Sequence, residues 1–288
     1  MSIKSRPATP ADVPAIVAFT TGTFVWGDYV PDEIANWIET PESVVMVATD
    51  GADLPIAMGR CRMLSPTEGW LHAARVHPDH RGKGIAGEMA VILTDWAREQ
   101  GALVTRLMIE DTNESSRRHI AKTGFRRTTT VHRASADLQD RPTPTGNGRV
   151  TTPTSLRARP GRRSEAGFVV SSWLSGDTGR AIRGLVGDGW AFHRLTETVI
   201  RDTAHGSMLW DIGGATALTR EVGGQFDVDL LDTTESEAAD VIRTLMDLAI
   251  DHGSDRFGMW LADLPWLIDA ANRNECDTFS NGIYAMTM

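Results

Sequence analysis

The stretch Val76-His-Pro-Asp-His-Arg-Gly-Lys-Gly-Ile-Ala86 decides how this chain is read. Before it, Trp70 to Val76 reads as a strand. After it, Ile85, Met89, Ile92 and Trp96 recur at helical spacing as far as Gln100, and Gly101 reads as the C-cap. The stretch therefore joins a strand to a long helix. Glycines at 82 and 84 let the backbone turn sharply and approach a ligand without a Cβ in the way. The amides of residues 82 to 86 point out of a helix N-terminus, which carries roughly half a positive charge. Arg81 and Lys83 add cations, so the loop suits a pyrophosphate. The plain alternative is a basic surface turn. It is not a Walker loop, because the spacing and the Lys-Ser/Thr pair are missing. A dinucleotide fingerprint is also rejected: the loop follows a strand deep in the chain, and no acidic ribose ligand stands about 20 residues later.

Strand and helix signals alternate through the first half. Thr9-Pro10-Ala11-Asp12 opens an amphipathic run through Phe19, and a second helix is expected over Pro31 to Trp37. Ser43 to Thr49 is β-rich and apolar, and Pro55 to Met63 is its expected hairpin partner. Leu103 to Ile109 reads as a buried strand, Ser115 to Lys122 as a helix closed by Gly124, and Phe125 to His132 as a last strand. Residues 140 to 163 carry four prolines and three glycines among threonines and arginines, so no regular element is expected there. Beyond it, Leu245 to Gly253 lines up with Leu93 to Gly101 at an offset of 152 residues, with Leu, Asp, Ala and Gly coinciding, and Asp263 with Asp111. Amphipathic helices share composition by chance, but the common order of helix, glycine, strand and further helix favours duplication.

Composition narrows the function classes. The 288 residues are 41% hydrophobic and 23% charged, the balance of an ordinary globular protein. A net charge of −9 argues against a general nucleic-acid binder. No apolar run approaches the ~20 residues of a membrane helix, and no secretory signal follows the start. Two distant cysteines, Cys61 and Cys276, give no disulfide framework, so a cytoplasmic protein is expected.

The loop, together with Arg-Val-His-Pro-Asp-His before it, resembles the acetyl-CoA loop of the GNAT acetyltransferase superfamily. Asn113-Glu-Ser-Ser-Arg-Arg-His-Ile-Ala-Lys-Thr-Gly-Phe125 resembles that family's next motif, and Arg6-Pro-Ala-Thr-Pro-Ala-Asp-Val its first strand and helix. Gly27-Asp-Tyr-Val-Pro31, with a degenerate second half, is similar to bacterial and archaeal relatives of the vertebrate histidine N-acetyltransferase. The resemblance implies an α/β (α+β) fold with a mixed, mostly antiparallel sheet flanked by helices. Residues 1–145 would form the catalytic GNAT domain, 146–163 a linker and 164–288 a degenerate GNAT-like domain. It implies acetyl-CoA as co-substrate, lying where two central strands splay apart. The Val76 amide would hold the thioester oxygen. Arg81, Gly82, Lys83, Gly84, Ile85 and Ala86 would hold the pyrophosphate, and Asn113 the pantetheine arm or leaving sulfur. A small primary amine would attack directly in a ternary complex, in a monomer or homodimer.

The chain departs from the family pattern at two places. Ile120 stands where a tyrosine usually protonates the leaving thiolate, so either Ser116 does this or the thiolate leaves unassisted. His72 stands where relatives often carry a glutamate. It reads equally as a base and as a packed core histidine, with Glu110 the competing base. Trp26, Asp28 and Tyr29 fall in the segment that lines the acceptor side in this superfamily. They suit a cationic or amino-acid-like substrate, or form a hydrophobic lid. Arg62 and Arg75 could pair with a substrate carboxylate, or stand as exposed strand charges. His72, His77 and His80 lack partner cysteines and straddle a proline and the loop, so no metal is expected. At the same offset, Thr233-Thr-Glu-Ser-Glu-Ala238 replaces the loop: the cations and glycines are gone, and the acidic start suits capping rather than a pyrophosphate. A non-catalytic acyl-CoA-binding regulator and a protein-lysine acetyltransferase are the alternatives.

Overall fold

The computed structural model describes residues 4–23, 27–139, 156–201 and 208–288. Trp26 lies outside them, as does the segment 140–155. Contacts group residues 1–127 with 283–288 as one unit, and residues 128–282 as a second.

In the first unit the order is β1 (Lys4–Pro7), α1 (Val13–Thr20), α2 (Val30–Glu39), β2 (Ser43–Thr49), β3 (Pro55–Ser65), β4 (Glu68–Val76), α3 (Ile85–Glu99), β5 (Val104–Glu110) and α4 (Glu114–Ile120). Strands β1 to β4 pair antiparallel in sequence order. β5 is then added parallel to β4, and the chain end at Met288 bonds to Leu103 at the start of β5. The period-two pattern of β3 explains the layering. Cys61 faces Leu71, Leu93 and Ala97 on the α3 side, while Met58 faces Ile16, Ile34 and Trp37 of α1 and α2. α3 buries Ile85, Met89, Ala90, Leu93 and Ala97 along one stripe, as its sequence spacing demands. Each large side chain there contributes about 1.5–3 kcal/mol relative to exposure.

The second unit holds most of β6 (Arg126–Asp137), then β7 (Ala158–Pro160), α5 (Ala166–Ser175), α6 (Asp177–Ala181), β8 (Leu185–Asp188), β9 (Ala191–Arg194), α7 (Glu197–Arg201), β10 (Met208–Ile212), β11 (Ala215–Val222), β12 (Gln225–Asp232), α8 (Ala238–Asp251), β13 (Arg256–Ala262), α9 (Pro265–Arg273) and the first part of β14 (Asp277–Thr287). Its strands run in the order β6-β13-β12-β11-β10-β7, with β8 and β9 forming a separate hairpin. β12 and β13 are parallel, as β4 and β5 are in the first unit.

The duplication signal has a structural counterpart. Gly101 and Gly253 both adopt positive φ, 99° and 78°. The amide of Ala102 bonds to Ala97 and that of Ser254 to Ala249, so both long helices close by the same left-handed C-cap at the same offset. Two expectations need correction. The segment 140–163 is not free of regular structure, because Ala158–Pro160 pairs antiparallel with Trp210–Ile212. An edge position tolerates Pro160, and Arg159 anchors the strand by bonding Asp211 at 2.6 and 3.1 Å. The strand starting near Phe125 runs on to Asp137, pairing Val131–Asp137 with β13. Its run of threonines continues past His132 into alternating residues, which prolongs an extended backbone. The contact grouping also differs from a division at residue 145: beyond Arg127, β6 groups with the second unit.

Candidate functional site

β4 and β5 are registered only from Glu68–Trp70 to Val104–Arg106, although β4 runs to Val76 and β5 to Glu110. Past Trp70 the two strands are no longer paired with each other, so β4 from Leu71 and β5 from Leu107 part toward their C-terminal ends. The amide of His77 bonds back to Ile56 on β3. Successive amides of a strand point to opposite neighbours, so the Val76 amide is directed at the β5 side, into the gap.

The departure is prepared by a bulge in β4. Met58 faces Arg75 but Arg60 faces His72, so Gly59 opposes both Ala73 and Ala74. Ala73 takes φ 58°, a left-handed value that costs a residue with a Cβ on the order of 1 kcal/mol. Nothing in the sequence announced this, because the position holds alanine rather than glycine. At Gly59 a Cβ would lie 2.9 Å from Leu93 Cδ1 of α3, so the leucine tip would have to shift to admit one.

The loop takes the form its glycines predict. Gly82 and Gly84 have φ 75° and 83°, and Gly84 is the N-cap of α3. The amides of Gly87 and Glu88 return to the Gly84 carbonyl. Among the described residues no backbone acceptor takes the amides of 82 to 86, which remain available at the positive end of a 15-residue helix. The Arg81 side chain reaches back to the Val76 carbonyl at 3.2 Å, and Lys83 to the Asp79 carbonyl at 3.1 Å.

On the β5 side, Asn113 is the N-cap of α4, its Oδ1 accepting from the Ser116 amide at 3.1 Å. Ser116 is half-buried in the first turn. Ile120 is buried in a core that also holds Phe125 and Tyr284, so the position facing away from solvent is packed. Glu110 is exposed at the end of β5.

On the α1–α2 side, Trp37 organises a cluster that the sequence revealed only in part. His72 meets its ring edge-on at 5.3 Å, Tyr29 at 5.8 Å, and the Arg60 guanidinium lies 4.9 Å from the ring centroid. Arg75 grips Asp28 with two bonds of 2.7 and 3.0 Å. Burial pushes the Asp28 carboxyl up, but Arg75 and the Val30 amide outweigh it and hold it below the ordinary range. The exposed Tyr29 ring stacks over Arg75 at 5.4 Å. His72 is pushed down to about 3, first by burial and then by Arg60, Arg62 and Arg75. The ring is therefore neutral at working pH, which works against its accepting a proton as a base. Its Nε2 is buried without a hydrogen-bond partner among the described residues. No group of three or more metal-ligating side chains occurs among the described residues.

The second unit has a comparable parting of strands with different chemistry. β12 and β13 are registered from Gln225–Val228 to Arg256–Met259, and a bulge places Asp229 between Val228 and Leu230. Asp229 is buried beside Arg220 and the Gly189 amide. Burial, against the pull of Arg220 and with Asp227 and Asp188 adding to it, pushes its carboxyl up to about 7. The regular part of α8 starts at Ala238, later than the threonines. The amides of Glu237 and Ala238 are taken by the Thr234 carbonyl, and the Thr234 hydroxyl bonds the Glu237 carboxylate.

The parted parallel strands, bulge and glycine loop define an acyltransferase architecture, and the family comparison agrees. The model of the acetyltransferase (GNAT) family matches residues 15–125, a stretch that carries the GNAT acetyltransferase domain. More particularly, the chain is similar to an L-methionine sulfoximine/L-methionine sulfone acetyltransferase of Pseudomonas paraeruginosa and to its counterpart in Pseudomonas aeruginosa. Each is 29% identical over 136 residues, covering 40% of this chain and 76% of the relative. Over the whole length the fold is shared with a GCN5-related N-acetyltransferase from Sphaerobacter thermophilus. Its TM-score is 0.65 at 13% identity, covering 99% of this chain and 95% of that one. It is shared too with a tandem GNAT protein from the clavulanic acid biosynthesis pathway, at TM-score 0.58 and 12% identity, covering 99% and 98%.

Proposed function

We propose that this protein moves an acetyl group from acetyl-CoA to the primary amine of a small, amino-acid-like molecule by direct attack in a ternary complex. The observation that carries this reading is that the Val76 amide and the unbonded amides of 82 to 86 serve one opening between β4 and β5. The loop amides with Arg81 and Lys83 hold the pyrophosphate. Asn113 holds the pantetheine arm. The Val76 amide donates to the oxygen that becomes negative as the amine attacks the thioester carbon. Glu110, exposed at the β5 end, takes the proton from the incoming ammonium. As the C–S bond breaks, the sulfur receives the second amine proton, relayed by the Ser116 hydroxyl. A thiol of pKa ~8.5 also leaves acceptably without help, which makes Ile120 tolerable. The relatives' substrates, methionine sulfoximine and sulfone, favour an acceptor of that size.

The catalytic work is assigned to residues 1–145, with 146–163 as linker and 164–288 as a degenerate copy without a CoA site. The protein acts in the cytoplasm as a monomer or homodimer, without nucleic acid or membrane. No helix among the described residues is long and apolar enough to span a bilayer. A second reading, an acyl-CoA-binding regulator, rests on Ile120 in the acid's place.

Free thiol released from acetyl-CoA over a panel of amino acids, polyamines and lysine peptides tests the proposal. Release with small amino acids is expected. Tight acetyl-CoA binding with no release on any amine would establish the regulator instead.

A further inference from the structure

The α1–α2 side of the parted strands carries a buried arginine, Arg60, with an unpartnered nitrogen. Arg75 is neutralised by Asp28. Arg60 is buried, and its Nη2 donates to the Ser43 hydroxyl at 3.2 Å. Its Nε is buried without a hydrogen-bond partner among the described residues. The acidic group whose charge reaches it is Glu33, exposed on α2. Burial, and then Arg62, push the Arg60 guanidinium down to about 10, the mark of a cation taken from water without a counter-ion beside it. Arg62 follows two residues along β3 and so shares the face, and His72 pairs directly across from Arg60 on β4. His72 adds a second buried, unbonded nitrogen on that face.

Buried donors are almost always bonded, and a buried cation is stable only when paired or hydrogen-bonded. The two orphaned nitrogens, one of them on the Arg60 guanidinium, thus suit an anion. The planar guanidinium edge through Nε matches a carboxylate, and a neutral imidazole with its proton on Nε2 supplies one more donor. Trp37 contacts both groups, His72 edge-on and Arg60 over its ring, so less side-chain entropy remains to be lost on binding.

Resting on the acetyl-transfer reading, we infer that the acceptor is an amine that also carries a free carboxylate, and that Arg60, with His72, is the group that recognises it. Asp28 does not act as a receptor for a cationic acceptor, because both its oxygens face Arg75. Polyamines and the side-chain amines of peptides are disfavoured by the same Arg60.

The test compares α- and ω-amino acids with their carboxamides and with the decarboxylated amines, at saturating acetyl-CoA. The free acids are expected to exceed both analogues in kcat/KM by on the order of 100-fold. Arg60→Met, and the milder Arg60→Lys in case the first misfolds, should raise KM for the acid by a similar factor. Neither should change KM for the carboxamide or the affinity for acetyl-CoA. Equal turnover of acid and carboxamide overturns the inference, as does an Arg60 variant that affects both alike. Calorimetry on the acetyl-CoA-loaded protein separates this inference from the reading it rests on. Selective binding of the acids with no thiol release upholds carboxylate recognition while acetyl transfer fails. Absent or unselective binding overturns carboxylate recognition.

Discussion

Two helix starts, residues 81–86 and 233–238, occupy corresponding places in the two halves and differ in almost every physical respect. The first has two glycines at positive φ, cations on either side of Gly82 and amides without backbone acceptors. The second has no glycine, no cation and two glutamates. Both starts close alike, the Gly84 carbonyl taking the amides of Gly87 and Glu88 and the Thr234 carbonyl those of Glu237 and Ala238, so the difference lies in charge and in the glycines: the second dipole is faced with negative charge. The first differs by its pair of left-handed glycines, with the amides of 82 to 86 free of backbone acceptors among the described residues.

The comparison breaks most visibly at Gly82. Gly82→Asp adds negative charge and a Cβ at φ 75°, and should weaken acetyl-CoA binding by at least about 100-fold in equilibrium dialysis. Neutralising Glu235 and Glu237 together to Gln should leave one acetyl-CoA per chain; a stoichiometry of two would erase the distinction between the halves.

A second difference between the halves is their response to acid. Arg6 holds Asp12 down at about 2, with bonds of 2.7 and 2.9 Å. A depressed carboxyl stabilises the fold above its unfolded value and loses that contribution as pH falls through about 4 toward 2, some 2 kcal/mol in all. Asp229 has the opposite sign. Its raised value means that folding is penalised once the unfolded group ionises, so acidification from about 7 to 4 relieves the second unit. Urea unfolding across pH should show Asp229→Asn flattening the stability profile between 4 and 7. Asp12→Asn should flatten it below 4. A profile unchanged by both variants would remove the contrast.

The smallest expected effect is conformational. Gly84→Ala has open space for its Cβ but must adopt φ 83°, so it should lose about 1 kcal/mol in denaturant unfolding. Glu237→Ala, at φ −106°, should not incur that strain.

These contrasts also show which features were legible in sequence. Glycine patterns, helical spacing and the C-cap at Gly101 act locally, so the loop, α3 and the repeated helix ending could be read directly. The first-half elements lie within a few residues of where periodicity puts them. The bulge at Ala73 could not be read, because the strain is imposed by pairing with Gly59 and the residue itself gives no signal. Nor could the Arg60–Trp37–His72 cluster, since its members come from three elements and meet only through register. The sequence left Arg75 between a partner for a substrate carboxylate and an exposed strand charge, because its pairing with Asp28 joins residues 47 apart. The short strand at Ala158–Pro160 was hidden by its proline, a residue that excludes central strands but not edges.

Residues Ile283–Met288 group with the first unit, where Tyr284 fills the core beside Ile120 and Phe125 and Met288 bonds to Leu103. A ribosome making this chain therefore releases the glycine loop, α3 and β5 long before the strand end that completes their core. For the interval in which the second unit is synthesised, the edge of β5 and the cavity around Phe125 stay unfilled. Completion of the first unit is thereby coupled to translation of residues 283–288, and a ribosome that stalls in the second unit leaves the first without its closing strand.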